Sequence, residues 1–393
     1  MTRIILKKNE ERRLFGGHSW VFSNEIDKIE ELESDVCISS LFDSRGNFLG
    51  KGFYNKHSLI AYRHFTSKEE EIDEKFLFKR LSRANALRKR VKPNDNVYRL
   101  VNGEADMLPG LIIDKYEDRY AVQIFSAGMD MIIDMIKNVL ADNFKAKLIV
   151  EKNMNSMREL EGIEQREGVI YSTDGYEGTE FECEIDGIKY CIDLLKGQKS
   201  GFYLDQCENR LLIRKYLREG DEVLDLFCNE GGFALNAALG KAGKITAVDS
   251  SETSIEKVIR NFELNDFSPP ETFCEDCFVH VNNLFQTKKR YDLIILDPPS
   301  FTKSKKSIRP ALNAYFDLNY KCMRLLKPDS LLFTFSCSHH ISEAHFEEML
   351  ANAAGKAGKI VQMLEKKTCS FDHPVLPQMP ETSYLKGYLL KVI

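Results

Sequence analysis

The second half of the chain alternates short apolar runs with amphipathic segments. Four runs, DEVLDLF, KITAVDS, YDLIILDPPS and SLLFTFSCS, are each followed by a segment whose apolar positions have helical spacing. Strands that are apolar on both faces and alternate with helices are typical of a parallel sheet covered by helices on both sides. The pattern therefore predicts a doubly wound α/β sheet, in which ligands bind beyond the carboxyl ends of the strands.

The first half of the chain has shorter predicted strands and more turn residues. Residues 1–74 alternate β-branched or aromatic residues with Gly, Asn and Asp, and end in the charged run SKEEEIDEK, which indicates a small β-rich module. Helical spacing from Phe76 to Val91 then leads into strands separated by Gly/Pro turns. We predict three domains: a β-rich domain over 1–74, a central α+β domain over 75–185 and an α/β domain over 186–393.

The predicted helix at 76–91 has an apolar face and a basic face. The residues expected on the apolar face are Phe76, Leu77, Leu81, Ala84 and Leu87. The residues expected on the basic face are Lys79, Arg80, Arg83, Arg88, Lys89 and Arg90. We interpret the basic face as a solvated surface, and a surface that binds nucleic-acid phosphates is the alternative.

Composition narrows the class of protein. The 393 residues are 43% hydrophobic and 29% charged with a net charge of −5, which fits a globular protein and excludes a uniformly basic coat for nucleic acid. No apolar stretch approaches the ~20 residues that a membrane span needs, and the first residues do not resemble a secretory signal. Ten cysteines without a framework spacing fit free thiols, so we predict a cytoplasmic protein.

Two acidic residues end consecutive predicted strands. Asp225 closes the first strand before Gly231 and Gly232, and Asp249 closes the second strand 24 residues later. Glycines there let backbone N–H groups approach a ligand, and an acid at the next strand end accepts hydrogen bonds from ribose hydroxyls. Because the G-x-G-x-x-G fingerprint is missing, the pair predicts a nucleoside-containing cofactor rather than a dinucleotide. The alternative is that Asp249 only caps the next helix.

The next two predicted strands end in DPPSF, 297–301, and FSCS, 335–338. Two prolines cannot continue a sheet, so they hold Asp297 at its rim, with Phe301 available to stack on a flat ring. A carboxylate with a stacking face can recognise the edge of a nucleobase, whereas the alternative is a plain terminating turn. Cys337 ends its strand at the same rim, where it presents a thiol to a substrate or is simply a core residue.

These motifs together resemble a known family. DLFCNEGGF, VDSS, DPPSF and FSCS, in that order, resemble class I S-adenosylmethionine (SAM)-dependent methyltransferases. GQKSGFYLDQCENR is more specific, and is similar to a segment of ribosomal-RNA 5-methylcytosine methyltransferases that have an N-terminal PUA domain. RRLFGGHSWVFSNEI, VNGEADMLPGLIIDKY and DHPVLPQMPETSYLKG match the same family, so the resemblance covers nearly the whole chain. It implies a PUA-like domain, a central domain and a Rossmann-like domain with a seven-stranded doubly wound sheet.

The resemblance implies SAM as the cofactor, S-adenosylhomocysteine (SAH) as its product, and the 23S ribosomal RNA of the large subunit as the partner. It places the methionine part of SAM on the loop from Asp225 to Gly231, the ribose on Asp249, and the adenine beside Asp276 and Cys277. The remaining residues that it assigns to the cofactor site are Gln198, Lys199, Phe202, Asp205, Gln206, Phe227, Asn229, Ser250 and Asp297. It further implies a homodimer.

The resemblance makes Cys337 the nucleophile and turns Asp297 toward the target base. Carbon 5 of cytosine is too electron-poor to attack a methyl sulfonium, and addition of a thiolate at carbon 6 makes it nucleophilic. Ser300 stands where many RNA 5-methylcytosine enzymes have a second cysteine that assists release, but the type with a PUA domain works with one. Formation of 5-methyluridine, which can also run on one cysteine, stays open.

Three groups of residues are expected to contact RNA. The first domain offers Arg12 and Trp20, the predicted helix offers Arg83, and the DPPSF loop offers Phe301. The basic residues that follow this phenylalanine are Lys303, Lys305, Lys306 and Arg309. Basic residues that flank an aromatic ring suit a flipped base with its phosphates.

Three other functions compete with this prediction. Cys274, Cys277 and His280 have the spacing of half a zinc site, but the chain has no second C-x2-C, so we predict no metal. A guanine N7 or N2 methyltransferase also has a D/N-P-P loop, but would not need Cys337. A non-catalytic RNA-binding assembly factor would need neither Asp297 nor Cys337.

Overall fold

A computed structural model describes residues 1–173, 176, 178–302 and 304–393. The chain forms two compact units. The first consists of Met1–Cys183, Ile192–Leu204 and Phe371–Thr382, and the second consists of Glu184–Cys191, Asp205–Ser370 and Ser383–Ile393. The division into domains at 74/75 and 185/186 stays a prediction.

The first unit begins with a six-stranded sheet. Its strands and one short helix are β1 (Thr2–Leu6), α1 (Glu11–Phe15), β2 (Trp20–Val21), β3 (Ile26–Glu30), β4 (Val36–Phe42), β5 (Phe48–Asn55) and β6 (Tyr62–Thr66). The strand order is β2-β6-β5-β4-β1-β3. In β1 the alternate residues Ile4 and Leu6 are fully buried while Arg3 is exposed, which is the two-residue period of a sheet with one covered face.

The second sheet of this unit has five strands with helices packed on it. These elements are α2 (Glu74–Val91), β7 (Val97–Asn102), β8 (Leu111–Tyr116), β9 (Arg119–Ile124), α3 (Ala127–Met131), α4 (Ile133–Phe144), β10 (Leu148–Asn153), α5 (Ser156–Leu160) and β11 (Arg166–Ser172). The strand order is β11-β10-β9-β8-β7. Leu77 and Leu81 of α2 belong to the same apolar core as Leu100, Ile113 and Ile136.

Helix α2 confirms the predicted helix but corrects which residues are buried. Asp73 caps it by accepting a 2.8 Å hydrogen bond from the backbone N–H of Phe76. Leu87, expected on the apolar face, is exposed, whereas Arg88, expected on the basic face, is fully buried. The guanidinium of Arg88 donates two hydrogen bonds, of 2.6 and 2.7 Å, to the carboxylate of Asp106. A buried charge is tolerated here because a bidentate partner neutralises it.

The second unit contains a seven-stranded sheet. Its helices and strands in chain order are α6 (Cys207–Tyr216), β14 (Glu222–Leu226), α7 (Gly232–Leu239), β15 (Lys244–Asp249), α8 (Glu252–Leu264), β16 (Glu271–Cys274), α9 (Cys277–Phe285), β17 (Tyr291–Leu296), α10 (Ile308–Leu325), β18 (Leu326–Ser336), α11 (Glu343–Ala357), β19 (Val361–Lys367) and β20 (Lys386–Val392). Before α6 in the chain, β12 (Glu180–Ile185) and β13 (Ile188–Asp193) form a separate two-stranded sheet. The strand order is β16-β15-β14-β17-β18-β20-β19. The predicted doubly wound sheet of seven strands is confirmed.

The direction of the strands decides where ligands can bind. The first five strands of that order are mutually parallel, and β20 is antiparallel to both of its neighbours. Leu226 pairs with Val248 on one side and with Leu296 on the other, and Leu296 pairs with Thr334. The carboxyl ends of β14, β15, β17 and β18 therefore meet at one edge of the sheet, which is where a parallel α/β sheet binds its ligands.

The interior of this unit explains the apolar runs of the sequence. Val223, Leu224, Leu226, Ala247 and Val248 are completely buried, because helices cover both faces of β14 and β15. Among the described residues, no helix is long and apolar enough to span a membrane.

Candidate functional site

The segment 225–232, which runs from the end of β14 to the first residue of α7, forms one side of the site and is called the cofactor loop. Phe227, Asn229 and Gly231 have φ angles of 60°, 47° and 79°, all in the left-handed region. Residues other than glycine rarely adopt this conformation, so the loop is an unusual, tightly wound turn. It leads directly into α7, whose first turn carries backbone N–H groups without helical partners. Such a turn presents N–H donors to a ligand above the sheet edge.

Asp225 is a buried carboxylate at the base of the cofactor loop. Its Oδ2 accepts a 3.0 Å hydrogen bond from the backbone N–H of Ala234, while its Oδ1 is buried without a hydrogen-bond partner among the described residues. Burial, with a smaller contribution from the negative charges of Asp297 and Asp249, raises the pKa of Asp225 to about 8. A cationic group placed beside Oδ1 would satisfy this atom and favour the carboxylate form.

Gly232 is required by a close approach of Arg210. A Cβ atom at Gly232 would lie 2.5 Å from Nε of Arg210, whose side chain extends from α6 to the start of α7. The guanidinium of Arg210 is also close enough to Asp225 to lower the pKa of that carboxyl group, against the dominant effect of burial. The second glycine of the motif is therefore explained by a buried arginine, which the sequence prediction did not include.

Asp249 closes β15 and ties two segments together. Its Oδ2 accepts a 3.0 Å hydrogen bond from the backbone N–H of Asn229, and its Oδ1 accepts one of 3.0 Å from Ser251. The cap of α8 is the hydroxyl of Ser251, which accepts from the backbone N–H of Ser254. Asp249 thus shapes the cofactor loop as well as the start of α8, and Ser250 beside it is exposed. Each carboxylate oxygen has a further lone pair for a ribose hydroxyl.

Asp276 and Cys277 follow β16. Asp276 is exposed and caps α9 by accepting hydrogen bonds of 2.8 and 3.1 Å from the backbone N–H groups of Phe278 and Val279. The thiol of Cys277 is buried and accepts a 3.2 Å hydrogen bond from the backbone N–H of Phe227. Burial raises the pKa of Cys277 to about 12, so this thiol is neutral and inert at physiological pH.

Cys274, Cys277 and His280, which have the spacing of half a zinc site, point to different partners in the structure. Cys274 is exposed, Cys277 contacts the cofactor loop, and Nδ1 of His280 lies 2.6 Å from Oε1 of Glu275. Among the residues that the structure describes, no group of three or more His, Cys, Asp or Glu side chains could hold a metal ion.

Asp297 lies at the end of β17 and is held by a side chain from before the cofactor loop. Nε2 of Gln206 donates a 3.0 Å hydrogen bond to Oδ2 of Asp297. Gln206 in turn accepts a 2.7 Å hydrogen bond at its Oε1 from Nδ2 of Asn209. The neighbouring Asp205 accepts a 2.5 Å hydrogen bond from the hydroxyl of Tyr384. Two residues of the segment 205–210 therefore act as supports for the sheet edge.

Cys337 lies in the loop 336–340, called the cysteine loop, which follows β18. Its thiol is half-buried and lies 3.7 Å from the carbonyl oxygen of Pro298, directly after Asp297. The hydroxyl of Ser338 lies 3.0 Å from that of Ser300 and 3.1 Å from that of Tyr315. These contacts join the cysteine loop to the DPPSF loop, so Cys337 and Asp297 share one rim of the sheet.

Phe301 is less available than its sequence position suggested. Its ring packs at centroid distances of 5.7 Å from Phe278 and 4.7 Å from Tyr315, and is half-buried. Of the basic residues after it, Lys306 and Arg309 are exposed. Lys303 lies outside the described residues, and the side chain of Lys305 is not described either.

The other predicted site residues belong to the first unit. Gln198 accepts a 2.6 Å hydrogen bond from the hydroxyl of Tyr203, Lys199 lies over the ring of Tyr203 at 4.1 Å, and Phe202 is buried. Their part in cofactor binding stays a prediction.

The three residues of this unit that were predicted to contact RNA differ in exposure. Arg12 on α1 and Arg83 on α2 are exposed, whereas the indole N–H of Trp20 donates a 2.9 Å hydrogen bond to Glu104. Trp20 is therefore committed to a contact within the unit, while the two arginines remain open to a nucleic acid.

Similarity to known proteins agrees with this arrangement. A family model described as a PUA-like domain matches residues 4–67, and one described as an S-adenosylmethionine-dependent methyltransferase matches residues 172–379. The chain is 34% identical to the ribosomal RNA large subunit methyltransferase I of Tolumonas auensis, with all of both chains covered. It is 35% identical to the Aeromonas hydrophila protein of the same name over 99% of this chain and 98% of that one. The chain belongs to this family of SAM-dependent methyltransferases.

The fold of solved methyltransferases extends over the whole chain. A Streptococcus mutans chain described as a SAM-dependent methyltransferase superimposes with a TM-score of 0.83 at 21% identity, with both chains covered completely. A methyltransferase crystallised with SAH superimposes with a TM-score of 0.84 at 22% identity, again with complete coverage of both chains. These superpositions confirm the predicted methyltransferase fold with a PUA-like domain. The family model that matches residues 172–379 makes SAM the cofactor.

The residues of the sheet edge fit SAM. Oδ1 of Asp225, which has no hydrogen-bond partner among the described residues, suits the ammonium of the methionine part. Asp249 has the lone pairs that ribose hydroxyls require, at the neighbouring strand end. When bound, SAM supplies an electrophilic methyl group, and a nearby nucleophile on the substrate must accept it.

Proposed function

We propose that the protein methylates carbon 5 of a cytosine in large-subunit ribosomal RNA, with Cys337 as the nucleophile. The observation that carries the proposal is the position of the Cys337 thiol, 3.7 Å from the Pro298 carbonyl oxygen and beside the strand end that holds Asp297. The relatives from Tolumonas auensis and Aeromonas hydrophila are both named ribosomal RNA large subunit methyltransferase I, which supports this class of RNA as the substrate.

The chemistry begins with the thiolate of Cys337, which adds to carbon 6 of the flipped cytosine. The new C–S bond breaks the 5,6 double bond and makes carbon 5 a nucleophile, which accepts the methyl group. A base then removes the proton from carbon 5, the double bond re-forms and the thiolate leaves. A cysteine suits both the first and the last step of this reaction, because a thiolate is a strong nucleophile and a good leaving group.

Asp297 provides recognition of the base. A carboxylate accepts a hydrogen bond from the exocyclic amine of cytosine, an interaction that favours cytosine over uracil, whose corresponding atom is itself an acceptor. The 3.0 Å hydrogen bond from Gln206 to Oδ2 keeps the carboxylate of Asp297 oriented at the rim of the sheet. A methyltransferase that acts on a guanine nitrogen could use the same carboxylate, but its reaction would not require a nucleophilic cysteine at position 337.

Contacts to the RNA backbone come from exposed basic side chains on both units. Arg12 and Arg83 on the first unit, with Lys306 and Arg309 on the second, are the described candidates. Binding through such contacts weakens steeply as the salt concentration rises. The homodimer implied by the resemblance stays a prediction, and analytical ultracentrifugation of the purified protein would check it.

A trapping experiment tests the proposal. Ribosomal RNA transcripts that contain 5-fluorocytidine are incubated with the protein and SAM. Fluorine at carbon 5 prevents the final loss of a proton, so we expect a covalent protein–RNA complex whose cross-linked peptide contains Cys337. Transcripts with 5-fluorouridine serve as the matched control and should give no complex.

The outcomes separate the competing functions. Trapping by fluorouridine alone would replace the proposal with 5-methyluridine formation. Methylation of unmodified RNA without any covalent complex, and with a methylguanine found by nucleoside mass spectrometry, would assign the enzyme to guanine. SAM binding without methylation of any ribosomal RNA would favour a non-catalytic assembly factor.

A further inference from the structure

A buried lysine lies directly behind the cysteine loop. Lys386 is the first residue of β20 and pairs with Ser336 of β18, the residue before Cys337. It is 8% exposed. Its Nζ donates hydrogen bonds of 2.9 Å to the carbonyl oxygen of Ser338 and 3.0 Å to that of Tyr384. An ammonium in such a position is unusual, because lysine is rarely buried without a charged partner in contact.

Several titratable groups surround this ammonium. Burial lowers the pKa of Lys386, whereas the negative charges of Cys337, Glu343 and Cys369 act in the opposite direction and favour its charged form. Two carbonyl oxygens that accept from Nζ stabilise the same form. The remaining titratable groups that face the cysteine loop are Tyr315 from α10, Asp297 from the DPPSF loop, and Tyr384 with His339 at a ring distance of 5.7 Å.

The electrostatic balance at Cys337 depends on this lysine. Asp297 is negative when ionised and disfavours a second negative charge nearby, and the half-buried position of the thiol also disfavours its ionisation. Burial, with a smaller contribution from the negative charges of Cys337 and Asp297, raises the pKa of Tyr315 to about 12, so this hydroxyl remains neutral. The ammonium of Lys386 and a negative charge on Cys337 attract each other, and Lys386 also donates a 2.9 Å hydrogen bond to the carbonyl oxygen of the next residue, Ser338.

We propose that Lys386 is a positioning residue that fixes the cysteine loop through Ser338 and favours the thiolate form of Cys337. The hydrogen bond to Ser338 orients the backbone on one side of Cys337, and the positive charge stabilises the nucleophile. The proposal rests on the proposed function, because it assigns a role to the cysteine that would attack cytosine. Lys386 does not touch the reacting carbon atoms and acts through Cys337.

Alkylation of Cys337 measures thiolate formation without RNA or methyl transfer. The full-length protein is treated with iodoacetamide between pH 6 and pH 10, and peptide mass spectrometry follows each cysteine. An opposite charge at close range shifts a pKa by about one unit, so Lys386→Met should slow alkylation of Cys337 at pH 7.5 about ten-fold and move its midpoint to higher pH. The exposed Cys274 serves as an internal standard whose profile should not change.

Two further variants separate charge from hydrogen bonding. Lys386→Arg keeps the charge and should retain the wild-type midpoint, whereas Lys386→Gln keeps a donor for Ser338 without the charge and should behave like Lys386→Met. Lys391→Met on the same strand removes a lysine paired at 2.7 Å with Asp329 and should leave Cys337 unchanged. If Lys386→Met fails to fold, as judged by thermal unfolding and SAM binding, the Arg and Gln variants carry the comparison.

An unchanged midpoint in a folded Lys386→Gln or Lys386→Met variant would overturn the proposal. So would a shift of the same size in Lys386→Arg. Because alkylation requires no substrate, the result is independent of whether the methylated base is cytosine. A midpoint shift combined with methylation that survives loss of Cys337 would refute the proposed function while leaving the role of Lys386 intact.

Discussion

The cofactor loop and the cysteine loop lie at the same edge of the seven-stranded sheet but are stabilised by different kinds of interaction. Backbone conformation shapes the cofactor loop: left-handed residues wind it, and the backbone N–H groups of Asn229 and Ala234 bind the carboxylates of Asp249 and Asp225. Side chains from distant parts of the sequence hold the cysteine loop, namely Ser300, Tyr315 and Lys386. The cofactor loop depends on the backbone conformation of a few consecutive residues, so we expect it to be sensitive to substitutions that alter that conformation. The cysteine loop depends on side chains from several elements, so we expect it to be sensitive to the loss of a charge or a hydroxyl group.

The replacement Cys337→Ala should distinguish the roles of the two loops most clearly. We expect methyl transfer to fall by at least about 10³-fold, because the covalent step is lost, while SAM affinity stays within about two-fold of wild type. Cys274→Ala, at an exposed cysteine of the same unit, is the matched control and should be fully active. Methyl transfer at the wild-type rate in Cys337→Ala would remove the cysteine from the reaction.

The replacement Asp297→Asn should have the next largest effect. It retains the size of the side chain but replaces one acceptor oxygen, so we expect the methylation rate to fall about 10²-fold with a smaller change in SAM affinity. Asp292→Asn is the control, since Asp292 lies at the other end of β17, where it binds Lys327 at 2.7 Å. Equal losses of rate and SAM affinity in Asp297→Asn would instead place Asp297 in the cofactor site alone.

The backbone character of the cofactor loop predicts that Gly232→Ala weakens SAM binding. A Cβ atom would lie 2.5 Å from Nε of Arg210, so either the guanidinium or the start of α7 must move. Because the start of α7 belongs to the proposed SAM site, this movement should displace groups that contact SAM, and we expect a roughly ten-fold higher Kd by isothermal titration calorimetry. Gly355→Ala on α11, where a Cβ atom would contact nothing, should bind SAM normally. Normal binding by both variants would show that the loop accommodates the change.

Asp225→Asn should stabilise the SAM-free protein while it weakens SAM binding. The pKa of Asp225 is raised by burial from its ordinary value of 3.8 to about 8, so the folded state loses stability as pH rises between these values. Asparagine does not ionise, and its advantage therefore grows from pH 4 to pH 8 and is constant above. We expect thermal unfolding about 3 °C higher at pH 8.5, with a smaller gain at pH 6. A gain independent of pH would contradict the raised pKa.

The smallest effect is expected for Ser338→Ala in the cysteine loop. The change removes hydroxyl contacts of 3.0 Å to Ser300 and 3.1 Å to Tyr315 but keeps the carbonyl group that Lys386 binds. Loss of such a contact costs about 1 kcal/mol, which corresponds to roughly a five-fold lower methylation rate. SAM affinity should be unchanged, and a lower affinity would show that the two loops are coupled.

Sequence reasoning was most successful where the signal is local. Continuous apolar strands predicted the doubly wound sheet, and the resemblance added that it has seven strands. Asp225, Asp249, Asp297 and Cys337 lie at the carboxyl ends of four strands that meet at one edge. That outcome follows from strand direction, because parallel strands bring their carboxyl ends together. The resemblance to methyltransferases then supplied the cofactor, and similarity to relatives confirmed it.

Contacts between residues far apart in sequence could not be predicted in this way. Arg88 has the helical position of a surface residue. Its burial is possible because the carboxylate of Asp106 and the carbonyl oxygens of Arg99 and Asp372 accept hydrogen bonds from its guanidinium. Lys386 is one lysine in a chain that contains many, and its significance depends on the pairing of β20 with β18. The one sequence signal for the buried Arg210 is Gly232, because a Cβ atom at this position would collide with the arginine side chain.

The position of β20 has a consequence for how the enzyme is made. This strand follows β19 in the chain but lies between β18 and β19 in the sheet, so β19 can join the sheet only after β20 has been inserted. During synthesis, Cys337, the proposed nucleophile, emerges before β20, the strand that carries Lys386. We therefore expect the cysteine loop to gain the hydrogen bond from Lys386 to Ser338 only after β20 has been inserted beside β18.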